Sequence, residues 1–275
     1  MYRSFFCAVF ILIIIACNGY ADTYTFNEYF DDDQTVFTDH GWITGMFNYT
    51  SPGWSYSYDL NGHNFAVTDL YYGSSNPRAD IPNNAQVNFL TNLSYYIDGT
   101  FSMTYQFSWD GSQNTDGFTH HIYLRTSSGH TFGGGVTDMW HWDKGSIYLY
   151  ANNGNPSDTV QYYSGNGTLN GFSGTGTVTI SRDESDLISI IVSAGGTSYS
   201  ASLVDSGEIK SIFMSYASYR PDYYGMTFPT LYSDSITLQG ESSYFNQPQV
   251  PEPVSILLVG ISSGMLLLRR IKRRS

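Results

Sequence analysis

Between residues 22 and 250, apolar and polar side chains alternate with a period of two, and no stretch keeps a 3.6-residue apolar period. Phe101, Met103, Tyr105, Phe107 and Trp109 alternate with Ser102, Thr104, Gln106 and Ser108, the pattern of a strand with one buried and one wet face. Val178 and Ile180 alternate with Thr177, Thr179 and Ser181. After the polar run Arg182-Asp183-Glu184-Ser185-Asp186, read as a turn, Ile188, Ile190 and Val192 alternate with Ser189 and Ser193, so this stretch predicts a hairpin. Further strands are expected at Tyr24–Phe30, Phe65–Tyr72, His121–Leu124, Ile147–Tyr150, Tyr199–Leu203, Ile209–Tyr216 and Ser235–Leu238. Antiparallel strands with one wet face, joined by polar turns, predict an all-β chain folded as a two-sheet antiparallel sandwich. The absence of an internal repeat argues against propellers and solenoids.

Two apolar runs at the chain ends break this pattern. Met1-Tyr2-Arg3 gives a small positive start, Phe5 to Cys17 is apolar, and Gly19-Tyr20-Ala21 places small residues before Asp22. This order predicts a signal peptide over 1–21, helical in the precursor, with cleavage between Ala21 and Asp22. A competing reading takes Ile14-Ile15-Ala16-Cys17 as a lipoprotein processing box lacking its usual leucine.

At the other end Pro251-Glu252-Pro253 precedes an apolar run over 254–268 and a basic stop over 269–274, opened by Arg269 and Arg270. Prolines fix φ and keep the approach extended. As a helix the apolar run rises about 22 Å at 1.5 Å per residue, short of the roughly 30 Å hydrocarbon core. The positive charges after it hold the C-terminus on the cytoplasmic side. This segment, 251–275, resembles the PEP-CTERM sorting tail of Gram-negative bacteria, including the Pro-Glu-Pro letters themselves. The resemblance implies an inner-membrane-anchored precursor, processing by an exosortase-type enzyme, and a product at the cell surface or outside it. An ordinary C-terminal membrane anchor is the alternative. Neither reading describes the activity of the domain in front.

Export changes how composition reads. Segment 22–250 keeps six basic against 23 acidic residues, a net charge of −17. A chain so acidic repels nucleic acid and anionic membrane surfaces, and remains compatible with cations, neutral glycans or simple solubility. Both cysteines, Cys7 and Cys17, fall in the signal segment, so the exported part has no disulfide and rests on its core. Its length suits one large β domain over 22–240, followed by a linker over 241–250.

Gly174-Thr175-Gly176-Thr177-Val178-Thr179-Ile180-Ser181-Arg182-Asp183 with its hairpin return, and Ser233-Asp234-Ser235-Ile236-Thr237-Leu238, resemble strands of the concanavalin A-like or laminin-G-like jelly roll. Phe30-Asp31-Asp32-Asp33 resembles that family's opening, where the first strand lies beside the last.

Candidate chemistry is sparse. Jelly-roll glucanases resembling this pattern carry Glu-x-Asp-x-x-Glu on one strand, and the chain has no such motif. No Gly-x-Ser-x-Gly elbow or phosphate loop is present. His120 and His121 are adjacent and point to opposite faces of a strand, which disfavours joint metal ligation. Asp31, Asp32 and Asp33, with Asp39, offer hard oxygen donors suited to Ca2+, although the regular calcium-loop spacing is missing and a solvated acidic turn competes. No other cofactor is expected. The aromatic runs hold the best binding signal: Trp140 and Trp142 beside Asp143, with Tyr71-Tyr72, Tyr95-Tyr96, Tyr162-Tyr163 and Tyr223-Tyr224. Such rings pair a flat apolar face with a polar tip, suited to stacking on sugars and equally to packing a sandwich.

These observations predict a non-catalytic, exported surface or matrix protein, associated with exopolysaccharide in a biofilm, where it either binds glycan through exposed aromatics or serves as a passive structural component. The alternative is a secreted carbohydrate-active enzyme with unrecognised Asp catalysts.

Overall fold

The computed structural model describes residues 22–30, 42–46, 52–60, 63–72, 84–111, 117–138, 144–164, 169–170, 173–219, 230–242 and 244–245. These form seventeen strands. The first six are β1 (Asp22–Glu28), β2 (Ile43–Met46), β3 (Pro52–Leu60), β4 (His63–Tyr72), β5 (Asn84–Ile97) and β6 (Phe101–Asp110). Then come β7 (Gly117–Thr126), β8 (Thr131–Asp138), β9 (Lys144–Asn152), β10 (Val160–Tyr163), β11 (Leu169–Asn170) and β12 (Ser173–Arg182). The last five are β13 (Leu187–Ala194), β14 (Thr197–Val204), β15 (Ile209–Tyr219), β16 (Thr230–Ser242) and β17 (Tyr244–Phe245).

They make two antiparallel sheets. The first has eight strands in the order β14-β13-β12-β6-β16-β4-β3, with β1 also on β16. The second has nine, in the order β10-β9-β8-β7-β15-β5-β17, with β11 on β9 and β2 on β5. The expected all-β, two-sheet antiparallel sandwich is therefore what the chain forms. β1 pairs with β16, the last long strand, from Asp22 opposite Ser242 to Glu28 opposite Ile236. β16 runs on to Ser242 and β17 follows, so the sheets take in Glu241, Ser242, Tyr244 and Phe245 from the stretch read as linker.

Alternation fills the space between the layers. Met103, Tyr105, Phe107 and Trp109 of β6 and Val178 and Ile180 of β12 are buried, as are Ile188, Ile190 and Val192 of β13. From the second sheet come Ile122 and Leu124, Ile147 and Leu149, and Ile212, Met214 and Tyr216. Gly174 and Gly176 of β12 sit opposite Trp109 and Phe107, whose rings occupy the space a Cβ would take. At the turn, Asp183 accepts from Ser185 N (2.9 Å), Ser185 Oγ (2.7 Å) and Leu187 N (3.0 Å), and Asp186 takes φ 61°.

Arg182 corrects the turn reading of 182–186: it ends β12 and is only 2% exposed. Its guanidinium donates to Gly99 O from Nε (2.8 Å) and Nη2 (2.6 Å), to Gly207 O from Nη1 (2.7 Å) and to Ile97 O from Nη2 (3.2 Å). It also lies 5.3 Å from the centre of the Phe101 ring. One side chain thus ties the β5–β6 turn to the segment leading into β15. Burial lowers its pKa, against the opposing pull of Asp186, Asp205 and Asp98. A second clasp is Glu28, 2% exposed, which accepts from Phe30 N and from Trp42 Nε1, each at 2.9 Å.

Candidate functional site

Most residues singled out from the sequence lie outside the described residues: Asp31, Asp32, Asp33, Asp39, Trp140, Trp142, Asp143, Ala21, Pro251, Glu252, Pro253, Arg269 and Arg270. Asp22 opens β1. Among the described residues no cluster of three or more His, Cys, Asp or Glu could hold a metal ion, and no helix is long and apolar enough to cross a membrane.

His120 and His121 do point to opposite faces of β7. His120 is fully buried between the layers, with its Nε2 2.6 Å from the Tyr105 hydroxyl. The Tyr105 and Tyr216 hydroxyls both bond Ser233 Oγ, and Tyr216 donates to Met214 Sδ at 3.6 Å. In the order that satisfies every donor, the bonds run from His120 Nε2–H through Tyr105, Ser233 and Tyr216 to the sulfur. The unpartnered His120 Nδ1 is then a lone pair, cheaper to leave dry than an N–H. Burial lowers the pKa of His120 and raises those of Tyr105 and Tyr216, so this core network stays neutral.

His121 faces the other way, onto the outer side of the second sheet. The ladder there brings residues distant in sequence into two rows. In one, Phe213 of β15 lies beside Tyr123 of β7, then Gly133 of β8, Tyr150 of β9 and Gln161 of β10. In the other, Ser215, His121, Gly135, Tyr148 and Tyr163 follow in the same order. Four strand spacings make each row about 19 Å long.

Glycine opens the middle of both rows. A Cβ on Gly133 would collide with the Ile122 carbonyl and the Tyr123 side chain, and one on Gly135 with the His120 carbonyl. The bare β8 backbone lets the rings on either side lean over it. His121 stacks on Tyr148 at 4.6 Å, Tyr148 contacts Tyr163 at 4.7 Å and lies parallel to Tyr150 at 6.4 Å. Tyr123 meets Phe213 at 5.9 Å and the edge of Tyr150 at 6.4 Å.

Exposure rises across this aromatic surface. Tyr148 is 8% exposed, Tyr123 and Tyr150 are half-buried, and Tyr163 is 43% exposed. His121 Nδ1 bonds the Tyr123 hydroxyl at 2.7 Å, while its Nε2 is buried and has no partner. Burial lowers the His121 pKa to about 3, so the ring is neutral at ordinary pH. In the tautomer set by Tyr123 donating to Nδ1, the unpartnered group is an N–H. Arg125 is the one charged side chain on the outer positions of this sheet between Thr119 and Arg125 of β7 and along β8 to Thr137. The surface can therefore stack a flat apolar ring and hydrogen-bond its hydroxyls without burying charge.

Of the aromatic runs singled out from the sequence, Tyr162-Tyr163 contributes directly. Its rings go to opposite sides: Tyr163 onto this surface, Tyr162 against Tyr199 of the first sheet at 5.3 Å. Tyr95 packs on Tyr24 at 5.1 Å, a contact between sheets. Tyr123, Tyr148, Tyr150 and Phe213 were not singled out as a site, because only strand order makes them neighbours. The three consecutive glycines of β8 were the available signal.

No family model matches the chain, and no curated protein matches it. Among solved structures it is similar to the CBM2 module of the evolved Dit of Lactobacillus casei BL23 phage J-1, with TM-score 0.52 and 9% identity over 82% of this chain and 98% of that one. It also aligns with winged bean acidic lectin complexed with methyl-alpha-D-galactose, at TM-score 0.43 and 12% identity over 80% of this chain and 99% of that one. A carbohydrate esterase of the Shiga toxin-encoding bacteriophage phi24B aligns at TM-score 0.44 and 12% identity, over 80% and 100%. At 9% identity the likeness to the CBM2 module is one of fold alone, a two-sheet antiparallel sandwich.

Proposed function

We propose that this chain is an exported, non-catalytic surface or matrix protein that binds glycan on the outer face of its second sheet. The observation that carries the reading is the tyrosine surface around Gly133 and Gly135, with the unpartnered Nε2 of His121 beside it. Tyrosine rings present flat apolar area at low entropic cost and keep a hydroxyl for hydrogen bonding, which suits the mixed faces of a sugar ring. The CBM2 module of like fold agrees with this reading by analogy of architecture alone. The strongly acidic composition favours a neutral glycan over an acidic one.

Delivery by a PEP-CTERM tail through an exosortase-type enzyme belongs to the same proposal, on the strength of Pro251-Glu252-Pro253 and the basic stop at Arg269 and Arg270. So do the biofilm setting, Trp140, Trp142 and Asp143 as further glycan contacts, and Ca2+ at Asp31, Asp32 and Asp33. The test is titration of the protein with neutral polysaccharides and with the producing cell's own exopolysaccharide, in calcium and in chelator. Saturable binding lost on Tyr150→Ala supports the reading. Steady release of reducing sugar in the same mixtures would overturn the non-catalytic part of it.

A further inference from the structure

A sheet edge left open invites another strand, and proteins usually guard such edges with charge, proline, bulges or brevity. Among the described residues every edge but one is guarded. β3 begins with Pro52, carries Asp59 and has a bulge at Ser55/Tyr56. β1 carries Asp22 and Glu28. β2 and β10 have four residues each, and β11 and β17 two.

β14 has none of these devices. Its eight residues, TSYSASLV, contain no charge and no proline, and they pair with β13 without a register shift. The turn joining the two strands is Gly195-Gly196, with φ of 56° and 79°. Such a two-residue turn makes Ala194 and Thr197 a hydrogen-bonded pair. Alternation then directs the N–H and C=O of Ser198, Ser200 and Ser202 away from β13. Tyr199, Ala201 and Leu203 pack on the core but remain half-exposed, and Val204 is 60% exposed.

We infer that β14 pairs antiparallel with β14 of a second copy of this chain. The occupant follows from charge: the chain carries −12, so two copies repel one another except where a surface is neutral. β14 and its neighbour β13 are both free of charge. The strand also complements itself. With Ser200 opposite Ser200, Ser198 falls opposite Ser202, and Tyr199 falls opposite Ala201, large against small. This register forms about six main-chain hydrogen bonds across the axis and leaves no open β14 edge. A two-fold contact of this kind closes as a dimer and does not propagate. It joins two eight-stranded sheets into one and holds two tyrosine surfaces on one particle, yet the pairing itself does not depend on the glycan reading.

The test uses the full-length chain carrying Cys7→Ser and Cys17→Ser. Opposed Cα atoms of a hydrogen-bonded pair lie about 5.5 Å apart, within disulfide reach. Ser200→Cys should therefore cross-link to a dimer on mild oxidation. Ser198→Cys should not, since its copies sit about 14 Å apart, whereas a mixture of Ser198→Cys and Ser202→Cys should. Ser200→Lys should convert a dimer mass to a monomer mass by light scattering while the circular dichroism spectrum keeps the parent's β signature, the midpoint falling only by what the lost dimer contributed. The inference is overturned if Ser200→Cys fails to cross-link, if Ser198→Cys cross-links equally well, or if Ser200→Lys leaves the dimer intact.

Discussion

Replacing Arg182 with methionine removes the charge and the donors while keeping most of the apolar stem. In the folded chain Arg182 makes no ion pair among the described residues; its four short N–H···O contacts go to the carbonyls of Ile97, Gly99 and Gly207. A hydrogen bond to a charged donor contributes about 1.5–3 kcal/mol, and each buried acceptor left dry costs about 1–3 kcal/mol. The desolvation of a 2%-exposed guanidinium offsets part of this, because a methionine side chain in its place would not suffer it. The ring contact with Phe101 adds about 0.5–1 kcal/mol. Balanced, Arg182→Met should cost about 3–5 kcal/mol. For a domain of this size that lowers the thermal midpoint by about 10 °C. Arg182→Lys keeps the charge but cannot span three carbonyls, so it should fall between the two. Urea unfolding followed by tyrosine and tryptophan fluorescence measures all three. A loss below about 1 kcal/mol in Arg182→Met would refute the clasp and leave the guanidinium a bystander.

Stability should fall below neutral pH because His120 and His121 are held neutral by burial. The folded pKa of His121 is about 3 against 6.5 in the unfolded chain. Unfolding therefore takes up the proton first, and stability is complete above pH 6.5 and declines as pH falls toward 3. The slope is about 1.4 kcal/mol per pH unit for each such histidine, and urea midpoints between pH 7 and pH 5 should show it shrinking in His121→Gln. Gly135→Ala forces a methyl group into the His120 carbonyl and should destabilise by about 2 kcal/mol, with loss of glycan binding as β8 shifts. A variant as stable as the parent in the same unfolding assay would show that β8 has room to spare.

How far the fold could be read from sequence depended on how each strand is used. β6 and the β12–β13 hairpin were legible because one face is buried and one wet, so apolar and polar residues alternate cleanly. β5 was not, because Asn88 and Phe89 are both buried although they point to opposite faces, which erases the alternation. β8 hid behind Gly133-Gly134-Gly135, a run that reads as a loop. Here it is a strand whose neighbours leave no room for side chains: even the inward Gly134 has the Tyr148 carbonyl and Val192 where a Cβ would sit. Arg182 read as a turn residue because charge normally marks a wet position, and only the three carbonyls around it explain a buried cation. The tyrosine surface was illegible for a different reason. Tyr148 and Tyr150 show up as outward residues of β9, but that they face Tyr123 and His121 across two glycines follows from strand order, which no local pattern encodes.

The central claim rests on that surface, and it is tested most directly by calorimetric titration of neutral polysaccharide into the protein and into its Tyr150→Ala/Tyr163→Ala variant. Stacking of one ring contributes about 0.5–1.5 kcal/mol, so removing two should weaken binding about 5- to 150-fold while the unfolding midpoint of Tyr163→Ala alone stays close to the parent's, as its 43% exposure requires. Saturable heat in the parent that collapses in the variant is the predicted result. Equal affinity in both proteins, or no heat from the parent with any polysaccharide tried, would contradict a glycan-binding role for this face.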